Sequence, residues 1–534
     1  MSTESFDYVI VGAGAAGAIL ANRLSADGST VCLLEAGPSD WHPFLHIPAG
    51  FIKVVFNPTY AWQFTTEPTE LTAGRRIPIP QGRVLGGSSS INGLVYNRGQ
   101  HQDYDHWADL GNPGWAFRDV LPYFKSMERR QGGSDEYRGR AGDLPVSDID
   151  WIHPLCEAFI QGAAQQGLPL TADYNGDAQE GVGYFQRTID RGWRMSTARC
   201  FLRPVRRRDN LTIKTSAQAA RIIIEDRKAR GVQYNHPSGG PARTVLAGKS
   251  VIVACGAINT PKLLMLSGLG PAAHLQETGV PVVHHLAGVG QNLSDHYSVR
   301  LVARVKGCET LNELSRGLRL GRQIFNWAMK KPSIMALSPS LVHWFWKSEP
   351  GLDRADLQGV FTPASYKEGY VGRLDDYPGM TVGVWQHRPR SRGHVRLQSA
   401  DAAAAPLVQP NYLSDPDDQR VLVNGVRLAR GLLRSKALAP YFDGETLPGD
   451  LCRSQDELLD FVKRVGVSSY HLNGTARMGP SGDPMAVVDA RLKVHGIDHL
   501  RVVDSSVMPS IPSANICAAT MMIANKAADM ILED

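Results

Sequence analysis

Apolar and polar positions follow three different rhythms along this chain. Near the amino terminus, "DYVIV" (Asp7 to Val11) is a short apolar run, which predicts a parallel strand buried on both faces. "AILANRLSADG" then places Ala18, Leu20, Ala21 and Leu24 on one side of a helix. "TVCLLEAG" is a second buried-strand run, ending at Glu35. "SVIVACGAINTPKLLMLSG" (Ser250 to Gly268) reads as another strand, turn and helix of the same sheet, with Pro261 in the helix's first turn. "HLRVVDSS" is one more apolar strand, ending at Asp504. A period of two appears in "GMTVGVW" and "GHVRLQS", as in an antiparallel sheet. "SDPDDQRVLVNGVRLARGLLRS" opens on a cap-rich acidic segment and continues as an amphipathic helix, and "ICAATMMIANKAADMILED" is a strong helical pattern at the end.

Between the first strand and helix stands "GAGAAG", with Gly12, Gly14 and Gly17 in G-x-G-x-x-G spacing. Gly12 makes the tight turn, Gly14 lets a pyrophosphate approach the backbone, and Gly17 lets helix and strand pack closely. Phosphates meet the positive end of the helix, and an acid ~20 residues on, here Glu35, accepts from a ribose. The unphosphorylated ribose that Glu35 favours points to FAD or NAD. "QGRVLGGSSSINGLVYNRG" (Gln81 to Gly99) is dense in Gly, Ser and Asn and suits wrapping a longer cofactor, which favours FAD.

Composition narrows the partners. The 534 residues are 43% hydrophobic and 20% charged, enough for a large core and more than one domain. The net charge of +5 is dispersed, and the densest basic run, Arg203 to Arg208, reads as a solvated face, so no nucleic-acid partner is expected. Seven scattered cysteines without a C-x-x-C pair argue against a disulfide framework and a zinc site and fit a reducing compartment. The start has no basic segment followed by an apolar one, and no apolar run approaches the ~18 residues of a membrane span. The expected location is the cytoplasm, with peripheral attachment at the inner membrane if the electron acceptor is a quinone.

Taken in order, "VIVGAGAAGAILANRLS", "LLEAG", "GRVLGGSSSINGLVYNRG", "DYDHW", "GAINTPKLLMLSGLGP", "GVGQNLSDH", "YHLNGTARMG" and "LRVVDSSVMPSIPSAN" resemble the glucose–methanol–choline (GMC) oxidoreductases. They run from Asp7 to nearly the end. The resemblance implies an α/β fold: a Rossmann-like FAD-binding domain (1–150, 211–296 and 471–534) and a discontinuous antiparallel-sheet, α+β substrate domain (151–210 and 297–470). It implies an FAD-dependent alcohol dehydrogenase or oxidase, in which hydride passes to flavin N5 and a primary alcohol becomes an aldehyde. His471 matches the catalytic base and Asn515 the second catalytic position. A histidine, with an ordinary pKa near 6.5, can take the hydroxyl proton, and Asn515 can orient the same oxygen without competing for it.

The resemblance also assigns cofactor contacts to Ala36, Arg83, Val84, Gly87 and Asn92, the adenine to Ala219 and the ribityl side to Asp504. The amino end of the last helix would face the flavin pyrimidine and stabilise its reduced anion. Ile91 stands where some members carry a histidine bonded to the flavin, so dissociable FAD is expected. Leu472, Asn473 and Ala476 replace the Pro, Val and Cys of other members, and "SANICAAT" replaces "SANTNAPT", which leaves the alcohol open. A hydroxynitrile-lyase-type enzyme with redox-silent FAD is the alternative. Oxygen and a quinone or dye both remain as acceptors, and a monomer or small homo-oligomer as the assembly. The segments "SSYHLNGTA" and "SIPSANICAAT" contain no acid and Tyr470 is their one aromatic, so a neutral aryl, aliphatic or polyol alcohol is preferred over choline. The cluster His343 to Trp346 reads as core unless it cages a cation, and His387 is a weaker candidate for the pocket wall.

Overall fold

The computed structural model describes residues 4–236, 239, 241–367 and 373–534. Its first sheet grows around Glu4–Val11. Val31–Leu34 and Arg243–Val253 flank that strand in parallel, with Val9 opposite Cys32 on one side and Val251 on the other. Leu211–Lys214 extends the sheet beyond Val31–Leu34. Arg243–Val253 is forked: its first residues pair antiparallel with Lys228–Asn235, and Val251–Val253 pair in parallel with Leu500–Val502. Gln218–Glu225 completes a hairpin at that edge. Val9, Ile10, Leu33, Val251 and Val253 are fully buried, so these runs are apolar without alternation because both faces are covered. One sheet thus collects strands from the beginning, the middle and the end of the chain. The Gly17–Ala26 and Cys517–Leu532 helices pack together over it, and Arg23 ties them by pairing with Asp529 and donating to Asn525.

The third helix starts earlier than the sequence pattern indicates. It spans Gly256–Leu266, so Pro261 lies inside it rather than in its first turn. Proline has no N–H to offer the carbonyl four residues back, that of Ala257. That carbonyl instead accepts from the hydroxyl of Thr475 at 2.7 Å. The helix irregularity is therefore where the "HLNGTARMG" segment is fastened to the nucleotide-binding half.

The second sheet runs Phe442–Leu447, Tyr297–Val305, Gly379–Gln386, Leu357–Thr362, Val342–Trp346, Gly181–Tyr184, each antiparallel to its neighbour, with Val467–Ser468 paired to the start of Tyr297–Val305. Its two faces divide the labour. Val299, Leu301, Ala303, Met380, Val382, Val384 and Phe361 form a buried core with Val421, Leu422, Val426 and Ala429 of the Pro416–Leu433 helix. Asp415 caps that helix by accepting from the N–H of Asp417 at 2.8 Å, and Pro416 opens its first turn. The opposite face presents Ser298, Arg300, Val360, Thr362, Thr381, Gly383 and Trp385 to an internal cavity. "GHVRLQS" contributes to a separate ribbon, His394–Arg396 against Leu407–Gln409, and not to this sheet. Trp344 and Phe345 are fully buried in the Val342–Trp346 strand.

All seven cysteines are free. Among the described residues no group of acids, histidines and cysteines is arranged to hold a metal, and no helix is long and apolar enough to cross a membrane.

Gly17 is the tightest point of the first strand–turn–helix unit, since a Cβ there would lie 1.8 Å from the carbonyl oxygen of Gly12. The oxygen it would meet belongs to backbone and cannot swing aside, so the helix and the turn would have to part. Gly17→Ala should cost at least ~1–3 kcal/mol. Thermal unfolding and flavin content check this: a lowered unfolding temperature with little bound flavin is expected, and a variant indistinguishable from wild type would contradict the packing described.

Candidate active site

A cavity of about 410 Å³ lies between the two sheets. Gly12, Gly14, Glu35, Ala36, Gly87, Asn92, Ala219 and Asp504 line it at the nucleotide-binding end, and His471 and Asn515 at the other. The first end has the build of a dinucleotide cradle. Gly12 holds φ +99°, and a Cβ there would stand 2.4 Å from the Ala254 carbonyl. Gly87 holds φ +52°, and its Cβ would meet Cα of Gly14 at 2.7 Å. Two glycine loops therefore meet backbone to backbone, leaving room that side chains would fill. Glu35 accepts from the N–H of Ala13 at 2.9 Å and of Gly37 at 2.8 Å. Burial pushes its carboxyl up to about 7, and those two N–H groups oppose the rise. Its remaining lone pairs can accept from hydroxyls of a ribose. Asp504 accepts from the N–H of Gly256 at 2.9 Å, the hydroxyl of Thr260 at 2.6 Å and the N–H of Ser506 at 2.8 Å, and burial raises its pKa. An acid at the ribose position, glycine-walled space and a helix amino end together fit FAD.

Three residues assigned to the cofactor do not line the cavity. Gly17 sits behind the turn as described. Arg83 lies over the ring of Trp62, 4.7 Å from its centroid, and Val84 is fully buried in a small cluster with Leu45, Val54 and Ile91. What the Arg83–Val84 backbone meets is Gly37, where a Cβ would stand 2.0 Å from the Arg83 carbonyl. This pair shapes the cradle from outside. Ile91 is buried at the cavity wall.

At the other end, two chains of hydrogen bonds converge on His471. One begins at the backbone carbonyl of His387, which can only accept. Nε2 of His296 lies 2.8 Å from it and so carries the proton. Burial holds the His296 pKa down to about 4, so the ring is neutral and its Nδ1 is a lone pair. Nδ1 of His471, 2.9 Å away, must donate to it. The other chain begins at the backbone N–H of Gly99, which can only donate and meets Oδ1 of Asn97 at 3.1 Å. The amide of Asn97 then donates to Gln358 at 3.4 Å, Gln358 donates to Oδ1 of Asn515 at 3.0 Å, and Nδ2 of Asn515 faces Nε2 of His471 at 3.0 Å. Both chains give one answer: His471 is the Nδ1–H tautomer, with an Nε2 lone pair beside an amide donor. Burial and the neighbouring His296 hold its pKa well below the ordinary histidine value, so it rests as a neutral base.

The backbone around His471 is equally constrained. Asp295 accepts from the N–H of His471 at 2.7 Å and from the hydroxyls of Ser468 and Tyr412. Burial pushes its carboxyl up to about 6. Tyr470 takes φ +65°, uncommon for a bulky residue, and this turn sends His471 inward. Asp103 of "DYDHW" holds the segment that carries Asn515: it accepts from the N–H of Ser513 at 2.7 Å and its hydroxyl at 3.0 Å.

Asp103, Asp295, His296 and Gln358 carry no role in the sequence reading. The adjoining acid and histidine of "GVGQNLSDH" were a usable signal, but their partners lie about the length of a domain away in sequence. Gln358 sits in an ordinary strand and carried no signal. His387 contributes its carbonyl, while its imidazole does not line the cavity.

The amino- and carboxy-terminal family models of the GMC oxidoreductases match residues 6–298 and 389–524. The chain is 39% identical to an alcohol dehydrogenase [acceptor] of Pseudomonas putida, covering 99% of this chain and 96% of that protein. It is 40% identical to an oxygen-dependent choline dehydrogenase of Photobacterium profundum, covering 99% and 93%. Among solved structures, pyridoxine 4-oxidase from Mesorbium loti superposes with TM-score 0.90 at 30% identity over 99% of both chains. Formate oxidase of Aspergillus oryzae superposes with TM-score 0.92 at 27% identity, over 100% of this chain and 99% of that one. These matches span both halves of the fold and the whole cavity, and the chain belongs to the GMC oxidoreductases, FAD-binding enzymes that act on CH–OH donors.

Proposed function

We propose that the protein oxidises a primary alcohol to the aldehyde, with His471 as the base and Asn515 as the group that orients the alcohol oxygen. The observation that carries this reading is the Nε2 lone pair of His471, fixed next to the Asn515 amide on the cavity wall. FAD, held by the Gly12–Gly14 turn, Glu35, Ala36, Gly87, Asn92 and Asp504, supplies the two-electron acceptor when bound. An alcohol hydroxyl entering between His471 and Asn515 donates to Nε2 and accepts the second hydrogen of the Asn515 amide. The proton moves to Nε2 as the carbon is oxidised, because an alkoxide gives up its carbon-bound hydrogen more readily than an alcohol.

Charge then appears on His471 inside a buried site. Its Nδ1–H already points at the Nδ1 lone pair of His296, which stabilises the imidazolium. Asp295 holds the backbone of the same residue and places a carboxylate nearby above its own pKa. The ring can thus take a proton without moving, which is the preorganisation that proton transfer in a low dielectric requires.

His471→Ala should keep its fold and its flavin and lose ~10²- to 10⁴-fold in kcat. Asn515→Ala should lose less, since the base remains. A His471→Ala variant within a few-fold of wild type would remove His471 from the chemistry. Anaerobic addition of a turned-over alcohol should bleach the flavin, and a flavin that stays oxidised throughout catalysis would instead identify a lyase.

The lowered His471 pKa sets the pH profile. The base is competent once deprotonated, so kcat/KM should rise on the acid side and be flat from about pH 6.5 upward to 8.5. A midpoint above neutrality would show that His471 rests as the cation. Ile91 offers no side-chain nucleophile to the flavin, so acid precipitation should release free FAD; yellow colour retained on the denatured chain would contradict non-covalent binding.

A further inference from the structure

One side chain at the reacting end of the cavity is left without a purpose by this mechanism. Arg300 lies on Tyr297–Val305, on the face turned away from the core. Its register partner is Gly383, so no opposing side chain fills the space there. Its guanidinium carbon is 5.6 Å from the ring centroid of Tyr366, and its charge acts on the hydroxyls of both Tyr366 and Tyr470, against the upward push of burial. Among the described residues Arg300 makes no hydrogen bond and no ion pair, and the Tyr470 hydroxyl makes no hydrogen bond. Several buried arginines elsewhere are matched: Arg98 and Arg138 pair with Glu128, Arg388 donates to Gln100, Ser513 and Ala355, and Arg194 donates to Ser89 and Asn92.

Among the described residues the cavity holds no carboxylate that could serve Arg300 in place. Glu35 and Asp504 line it at the nucleotide end, each already accepting backbone N–H groups. Asp295 is occupied by Ser468, Tyr412 and the backbone of His471, and does not line the cavity. The other lysine or arginine on the wall, Lys262, is at the nucleotide end, donating to the carbonyls of Ala402 and Ala404 at 2.7 Å. A partly buried cation without a counter-ion is costly, and a ligand anion removes that cost.

We infer that the substrate is an alcohol carrying a carboxylate away from its hydroxyl, bound by Arg300 while the hydroxyl reaches Nε2 of His471. The inference rests on the alcohol-oxidising reading above. A planar guanidinium fork matches a carboxylate in geometry and in charge. One cation matches one negative charge, whereas a phosphate monoester would bring about two and find no second cation at this end. Val360 and Trp385 give the walls between an apolar surface, so the linker is hydrocarbon or aromatic. A trimethylammonium alcohol meets a like charge here. The aromatics Trp344 and Trp346 are not on the cavity wall and offer it no cage.

The test uses holoenzyme of wild type, Arg300→Gln and Arg300→Lys. Steady-state assays compare 4-(hydroxymethyl)benzoate with benzyl alcohol, 6-hydroxyhexanoate with 1-hexanol, a phosphate monoester of 1,6-hexanediol, and choline. Calorimetry measures binding of benzoate and of benzamide, with no turnover required. Wild type should favour a carboxylate alcohol over its neutral partner by at least ~10-fold in kcat/KM, mainly through KM. The ratio should collapse towards one in Arg300→Gln and recover in part in Arg300→Lys. Benzoate should bind wild type at least ~10-fold tighter than benzamide, and Arg300→Gln should lose that difference. Equal use of acid and neutral alcohols by wild type, or a benzoate affinity unchanged in Arg300→Gln, overturns the proposal. Preference for the phosphate ester or for choline overturns its ligand class. Failure of every alcohol to be oxidised while benzoate binding still depends on Arg300 would instead sink the alcohol-oxidising reading and leave the anion site standing.

Discussion

The site depends on a lone pair being held in place from two directions. The carbonyl of His387 can only accept and the N–H of Gly99 can only donate, so each sets the polarity of every bond down its chain. The chains meet at His471 and agree. One arrives through His296 and makes Nδ1 a donor; the other arrives through Asn97, Gln358 and Asn515 and makes Nε2 an acceptor. Burial keeps both imidazoles neutral, because charging either inside the protein costs desolvation. The tautomer of His471 is therefore specified by backbone atoms that no side-chain substitution can reverse, and the side chains between transmit that specification.

The large architecture serves this convergence. His387 follows the Gly379–Gln386 strand, Gln358 sits on Leu357–Thr362, and His296 immediately precedes Tyr297–Val305, so the substrate sheet supplies one chain's start and the other's middle. His471 and Asn515 come from the segments that lead into and out of Leu500–Val502, in the nucleotide-binding sheet. The two sheets must be in register for the bonds to close. Arg388 on the Ser513 hydroxyl and Gln100 on the Ala355 carbonyl tie the two halves, while Thr475 on the Ala257 carbonyl and Asp103 on Ser513 fix the segments that carry His471 and Asn515. The alternation of the substrate sheet then puts its core and its chemistry on opposite faces of the same strands.

Much of this was legible in the sequence, for identifiable reasons. The first strand, turn and helix obey local rules, since glycine spacing and apolar runs are set by backbone sterics within a few residues. The alternating "GMTVGVW" gave the correct period, and its Met380, Val382 and Val384 are indeed one buried face. The other half of that pattern was ambiguous, because Thr381, Gly383 and Trp385 would look the same facing water or a cavity. Arg300 was hidden for that reason: an arginine in an alternating strand reads as a solvated position. Arg83 and Val84 lie in a Gly- and Ser-rich motif whose composition suits wrapping a cofactor, but only the fold decides which of its residues turn inward. His296 and Asp295 were visible as a pair of polar residues, while their roles depend on contacts with segments far along the chain.

Neutron diffraction from crystals of the resting holoenzyme at about pH 7.5, above the ordinary histidine pKa, locates the decisive protons directly. The account predicts deuterium on Nδ1 of His471 and on Nε2 of His296, and none on Nε2 of His471. Deuterium on Nε2 of His471, as the other tautomer or as the imidazolium, would contradict it.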